Sequence, residues 1–459
     1  MKTMKTNKLI IFTILAAFFA SCESELEIDP KQREDSTVTL STEKGITDVL
    51  TGTYAILANG EAYGGPISIS ADLLAQTGVT STTDFRWRGT FATYRQMYSK
   101  ALLVDNGVVQ QIWARNYQAI NATNVVIENI GLVEDPDKAK TMIAEAKFIQ
   151  ALAYFDLVRF FAKPYDATIG ANTQLGVVIR PKAIYNFSAD LSAERSTVED
   201  VYNLVINNLD DAYTDLPADN GFYANKYAAK ALLARVYLQQ QNYAAALSAA
   251  DEVIQDSGAG LSPTFAEAFN HDVNQIEDIF AIQITKQTGD NTLIDHYASE
   301  DNGGRGGDIE IRNTYLNKFT DPNDERRNFN YINPDNDRRL TSKYSNEFGD
   351  VPVIRLAEMY LIRAECNSRL GSSTGADPLD DINLLRTRAK ALNFSTVTLA
   401  QILRERVLEL AMEGFAIHDI KRTKGTIGGT YDWDSDFLVF PIPLRETDNN
   451  KKITQNPGY

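Results

Sequence analysis

Histidine, cysteine and tryptophan are scarce in this chain of 459 residues, at three, two and three copies. The histidines, His271, His296 and His418, form no local metal-ligand spacing with one another or with a cysteine. Two cysteines exclude a multi-disulfide scaffold. No glycine-rich loop ends in Lys-Ser or Lys-Thr, and the run Gly303–Gly307 lacks that ending, so no phosphate loop is offered. Basic residues are also in the minority, 45 against 61 acids, for a net charge of −16. That balance repels nucleic acid and anionic lipid headgroups alike. The one uncharged apolar run at the N-terminus, Leu9 to Ala20, is too short to span a bilayer.

What is present begins with that run. It follows Lys2, Lys5 and Lys8 and ends in Phe19-Ala20-Ser21-Cys22. The order resembles a bacterial lipobox, with Phe19 where leucine is usual. Residues 1–21 are therefore expected to be a signal peptide, with Cys22 lipidated as the mature N-terminus. Several acyl chains on one cysteine would anchor the protein durably where a single chain would not. Cleavage removes three lysines and no acid, leaving a charge near −19. Residues 22–40, opening Glu23-Ser24-Glu25-Leu26-Glu27, have little to bury and read as an acidic tether. Residues 41–459 remain for one folded unit, and a hydrophobic content of 44% is enough for a large core. Cys366 lies in an apolar helical pattern and is expected to be a small buried hydrophobe.

Most of the chain carries helical periodicity. Trp113, Tyr117, Ile120, Asn124 and Ile127 step by four, three, four and three, which places them on one face. A second helix is predicted from Lys138 to Phe161, ended by Pro164. Ser196 to Leu216 opens with a capping box read as Ser196 and Glu199. Ala228 to Gln255 resembles a tetratricopeptide hairpin, its alanines letting two helices approach closely. Further helices are predicted over Val353–Leu370, Asp377–Ala391 and Leu399–Lys421. The expected fold class is mainly α: tetratricopeptide-like helix pairs forming a scaffold, with a loop-rich lobe containing short strands. That lobe is expected from residues 60–100 and 258–350, which are rich in Gly, Asn, Asp, Ser and Tyr without a helical period. Ile279–Ile284 is the clearest strand there. Asn302-Gly303-Gly304-Arg305-Gly306-Gly307 must be loop.

Six blocks in order carry a family resemblance. They are Trp113 to Asn124; Glu145-Ala146-Lys147-Phe148 running into Ala151 to Arg159; Pro352 to Glu365; Arg386-Thr387-Arg388-Ala389; Glu405-Arg406 with Glu409, Glu413-Gly414 and Asp419 to Arg422; and Phe440-Pro441-Ile442-Pro443 with the final Gln455 to Tyr459. Together they resemble the SusD/RagB lipoproteins. The sequence departs at Gln150 and Ala416, where that family often has arginine, and both are read as altered internal ion pairing. The resemblance implies a lipid-anchored protein on the extracellular face of the outer membrane. Its partner would be a SusC-like TonB-dependent transporter barrel, and its ligand a glycan, or in some members a peptide. It implies no enzyme activity and no cofactor, and contact with the membrane only through the lipid. A pure adaptor that binds only the barrel and a glycoside hydrolase are the less favoured alternatives.

Glu405, Glu409 and Glu413 recur at four-residue steps among arginines, which favours an ion-pair face supporting the scaffold over a catalytic carboxylate pair. Asp321 to Glu325 and Asn333 to Asp337 lack the glycine and spaced glutamate of a calcium loop and read as solvated turns. Sugar binding calls for an aromatic face with polar groups at its edge. Asp84-Phe85-Arg86-Trp87-Arg88 offers both, and Trp87 is the tryptophan that stands in a polar loop. The family resemblance also implies a stacking aromatic in this region. Asp72, Arg86 and Arg88 are candidate partners, with His296, Tyr297, Arg305, Tyr315 and Tyr331 as an opposite wall. Trp433 is expected to pack under the Phe440-Pro441 turn, and His418 to be structural.

Overall fold

The computed structural model describes residues 40–459, apart from 79–80, 169, 171, 187–189 and 288. The expected signal peptide, Cys22 and nearly all of the expected acidic tether lie outside the described residues. In chain order the first elements are α1 (Glu43–Leu57), α2 (Pro66–Leu74), β1 (Phe85–Trp87) and α3 (Ala92–Ser99). The long helices follow: α4 (Gly107–Glu128), α5 (Pro136–Phe161), α6 (Val198–Asp215), α7 (Lys226–Gln239) and α8 (Tyr243–Asp256). An irregular stretch holds β2 (Asp278–Ile282), α9 (Leu293–Tyr297), β3 (Ile309–Ile311), α10 (Asn313–Leu316) and α11 (Glu325–Asn328). It closes with β4 (Asn330–Ile332), β5 (Arg339–Thr341) and β6 (Val351–Arg355). Next come α12 (Leu356–Leu370), α13 (Pro378–Arg388), α14 (Leu399–Glu409) and α15 (Ala416–Arg422). The hairpin β7 (Thr426–Ile427) and β8 (Tyr431–Asp432) and the helix α16 (Leu444–Asn449) complete the chain.

The helices stack as predicted. α1 covers α4, and each of α4 to α8 packs on the next; α8 meets α12, which carries α13 and α14. Local chemistry starts these helices. Asn106, Asp135, Thr197, Asn225 and Asn242 each accept a hydrogen bond from a free backbone N–H of the first turn. Pro136 follows Asp135 at the first helical position, where a missing N–H costs nothing. α7 and α8 pack as a hairpin, and Ala228, Ala231 and Ala234 on one and Ala246, Ala249 and Ala250 on the other are buried, small residues that let two helices approach closely. Cys366 is fully buried in α12. All strands among the described residues pair two by two in antiparallel fashion.

Several expectations need correction. The capping box of α6 is Thr197 with Asp200, one residue later than read. Residues 60–100 contain two helices, α2 and α3; α2 is buried on nearly every side, which erases the one-faced period that would reveal it. Val353 belongs to β6, where Val351, Val353 and Ile354 suit a strand, and the helix starts at Leu356. The predicted helix over Leu399–Lys421 breaks between Glu409 and Ala416, where Met412 and Gly414 have φ of 65° and 83°. A Cβ at Gly414 would lie 2.8 Å from the Ser68 Cα, so the chain there is seated directly on α2.

The side chains bring further revisions. Glu405, Glu409 and Glu413 are an ion-pair set, but a buried one. Glu405 meets Arg326 and Arg386, Glu409 meets Arg388 and Arg355, and Glu413 meets Arg355 and Lys343. Asp321 and Asp324 are buried rather than solvated: Asp321 accepts from the Asn323 and Leu392 backbone, and Asp324 holds Arg326. Gln150 joins no ion pair; its amide bridges Asn124 at 2.7 Å and Asn208 at 3.2 Å. The ring stacked on Phe440 is Phe160, 4.8 Å away, whereas Trp433 is half-buried with the Lys424 ammonium 5.0 Å over it. His418 is buried edge-on against Phe160, as a structural residue would be.

Candidate functional site

The two irregular regions meet at one small sheet. β1 pairs antiparallel with β3, setting Phe85 opposite Ile311, Arg86 opposite Glu310 and Trp87 opposite Ile309. The Arg88 N–H donates to the Asp308 carbonyl at 2.7 Å and the Arg312 N–H to the Asp84 carbonyl at 2.8 Å, which extends the ladder at both ends. On one side of this sheet Glu310 is held between Arg88 and Arg312, at 2.7 and 2.9 Å. Burial works against its charge, but the two guanidinium groups keep the Glu310 carboxyl below its ordinary range.

Trp87 is not an open platform. Its ring is 6% exposed, tilted against Tyr94 at 5.3 Å and His296 at 5.8 Å. Gly89 permits this seating, since a Cβ there would lie 2.4 Å from the Trp87 ring and 2.6 Å from the Asp308 carboxyl carbon. His296 is fixed by a 2.8 Å contact between Nδ1 and the Asp308 carboxylate. The aromatic residue that reaches the surface here is Phe91, 38% exposed, its ring set edge-on to His296 with centroids 5.7 Å apart. The Arg305 guanidinium, itself exposed, lies 4.6 Å over the Phe91 ring. Trp87, Tyr94, His296, Phe91 and Arg305 thus form one cluster grading from core to solvent.

The remaining predicted residues divide. Arg86 is half-buried and Arg88 exposed, and the alternation along β1 sets both, with Glu310, on the side of the sheet opposite Trp87. Tyr331 is half-buried, and its hydroxyl accepts from the Ser299 N–H at 2.8 Å at the base of the glycine-rich loop. Tyr297, Tyr315 and Asp72 belong to the interior. The Tyr297 hydroxyl donates to Asp72 at 2.9 Å, and its ring lies 5.1 Å from Tyr344. Tyr315 packs on Phe85 and Phe319 and donates to the Leu408 carbonyl. Asp72 is 1% exposed; burial raises its carboxyl to about 7, against the Tyr297 hydroxyl and the Gly414 N–H, which favour the charged form. It lines a separate cavity of about 320 Å³ with Phe85, Arg406 and Phe415. Sequence reasoning missed Phe91. Its signal was an aromatic residue placed just ahead of a helix, where no helical face claims it.

Comparison with known proteins fits this architecture. Residues 26–238 match a family described as starch-binding associating with outer membrane, and residues 283–433 match the SusD family. A SusD-like protein, P2, from Formosa agariphila is 26% identical over 99% of this chain and 100% of its own length. The starch-binding protein SusD of Bacteroides thetaiotaomicron is 35% identical over a shorter stretch, 24% of this chain and 22% of that protein. Among solved structures, a SusD superfamily protein from Bacteroides thetaiotaomicron superposes with a TM-score of 0.79 at 24% identity, covering 91% of this chain and all of the other. A SusD-like carbohydrate binding protein from Bacteroides vulgatus gives 0.75 at 18% identity, covering 90% and 97%. The chain belongs to the SusD/RagB family.

Proposed function

We propose that this protein is a cell-surface lipoprotein that captures an oligo- or polysaccharide and delivers it to a TonB-dependent outer-membrane transporter. The observation that carries the ligand class is the graded cluster on the β1–β3 sheet. It presents the Phe91 ring and the Arg305 guanidinium group at the surface, braced from beneath by Trp87, Tyr94 and His296. An apolar ring flanked by hydrogen-bond donors suits a pyranose, whose faces are apolar and whose rim is hydroxyl-bearing.

Family membership supports the rest of the reading, since a relative is named for binding starch and the matched family for its association with the outer membrane. Cys22 supplies the lipid anchor, the acidic tether gives the protein reach from the membrane, and residues 41–459 act as one unit. No helix among the described residues is long and apolar enough to cross a membrane. The helix stack is the rigid face offered to the barrel, leaving the lobe for ligand. Binding, not bond cleavage, is the activity assigned. The test is a glycan array probed with the protein released from its lipid. Retention of a polysaccharide without shortened products supports the reading, and selective retention of peptides would replace the glycan with a peptide ligand.

A further inference from the structure

Away from the lobe, a cavity lies between α4, the segments 178–184 and 190–192, and α16. Its volume is about 760 Å³, within the range of sites that enclose most of a small ligand. Side chains from α4 hold its walls in place. The Tyr117 hydroxyl donates to the Val178 carbonyl at 2.7 Å. The Asn121 amide donates to the Ile184 carbonyl at 3.3 Å and accepts from its N–H at 2.7 Å. On the opposite side Asn450 makes the same two-way bond to Ala193, at 2.7 and 3.2 Å. The cleft is thus preformed, and ordering it for a ligand costs little.

We infer that this cleft is a second carbohydrate site, separate from the lobe, which takes a short neutral oligosaccharide. Tyr117, half-buried and 4.8 Å from Trp113, gives the aromatic floor. Arg180, Arg445, Glu446 and Asn449 carry the donors and acceptors around it. Charge selects against ionic ligands, because two arginines are balanced by Asp190 and Glu446. Burial also lifts the Glu446 carboxyl above its usual range, although the Trp113 indole N–H donates to it. A neutral polyol satisfies such a mixed lining without leaving a net buried charge. The choice of a sugar rests on the glycan reading above, while the place is independent of the lobe.

The experiment titrates defined neutral oligosaccharides, maltohexaose, cellohexaose, xylohexaose and mannohexaose, into the lipid-free protein and reads stoichiometry by calorimetry. Ala114 is exposed on α4 and lines the cleft, so Ala114→Trp fills it without disturbing the core. The expected result for a bound sugar is two sites per chain, falling to one in Ala114→Trp and to one in Phe91→Ala. Thermal unfolding confirms that each variant is folded; if Ala114→Trp is not, Arg445→Ala decides, with at least a tenfold loss at the cleft expected. Two sites that persist in Ala114→Trp overturn the inference, as does a single site abolished by Phe91→Ala alone. Binding lost in Ala114→Trp but kept in Phe91→Ala supports the cleft and removes the lobe. A protein that binds none of these sugars removes both.

Discussion

The Tyr297 hydroxyl donates to the Asp72 carboxylate across 2.9 Å, tying α2 to α9 inside the molecule. Burial raises the Asp72 carboxyl to about 7 from an ordinary value of 3.8. A carboxyl raised in the folded state binds its proton more tightly there than in the unfolded chain. Its charged form therefore costs stability above pH 7, and the cost is relieved as the pH falls from 7 towards 3.8. Asp72→Asn keeps an acceptor for Tyr297 and cannot ionise. Relative to wild type, the variant should gain stability between pH 5 and pH 8, by up to roughly 4 kcal/mol. Denaturant unfolding of both proteins at the two pH values measures this. A difference that does not change with pH would show that Asp72 is ordinary in the folded state.

Phe91 and Trp87 should separate binding from stability. Trp87 is 6% exposed and Phe91 38%, so their truncations act on different terms. Trp87→Ala leaves a void beside Tyr94 and His296 and should cost roughly 3–5 kcal/mol of stability. Phe91→Ala should cost less than about 1 kcal/mol and still weaken glycan binding at the lobe at least tenfold, since one stacking face is worth ~1 kcal/mol or more. Calorimetric melting with affinity measurement on both variants checks this. Loss of affinity in Trp87→Ala alone would mean that the cluster only shapes the lobe.

The helix stack was legible because its helices bury one face and show it as periodicity. Trp113 to Ile127 and the alanines of α7 and α8 are such cases. The lobe was legible only as composition. Whether Trp87 faces water depends on β3, which lies more than 220 residues further along, and no local pattern encodes that pairing. The grouping of Trp87, His296 and Arg305 was nonetheless readable from two polar, aromatic-rich regions. Tyr297 and Tyr315 were assigned to the same wall because a loop tyrosine looks alike whether its ring is buried or exposed. The acidic steps on α14 were readable as ion pairing, but their burial was not, because their partners Arg326 and Arg355 come from α11 and β6, elements distant in sequence.

Glu409 should be the most costly carboxylate to remove. It is fully buried, faces Arg388 and Arg355, and has Arg326 at 3.6 Å. Burial opposes its charge, but these guanidinium groups prevail and hold it down at about 2. A depressed carboxyl contributes stability above its unfolded value of 4.5, here about 3 kcal/mol, and loses it as the pH falls towards 2. Glu409→Gln leaves buried arginines without their counter-charge and should cost roughly 3–5 kcal/mol at pH 7. The gap between variant and wild type should narrow towards pH 2. Guanidinium unfolding at pH 7 and pH 3 reads both effects, and a variant as stable as wild type at pH 7 would show that the arginines are satisfied by their other partners.

The surroundings of Gln150 explain why an amide works there. Its Nε2 donates to the Asn124 Oδ1, and its Oε1 accepts from the Asn208 Nδ2, so a neutral relay joins α4, α5 and α6. The relay contains no carboxylate. Gln150→Arg would place a cation at a position that is 8% exposed and whose two hydrogen-bond partners are amides. Gln150→Leu removes the charge problem but strands Asn124 and Asn208, each at a cost of about 1–3 kcal/mol. Both variants should therefore be less stable than wild type, and arginine the more so, because a desolvated charge costs more than two unpaired amides. Thermal melts of the three proteins decide the order. An arginine variant as stable as wild type would mean that a carboxylate from a neighbouring helix swings in to meet it.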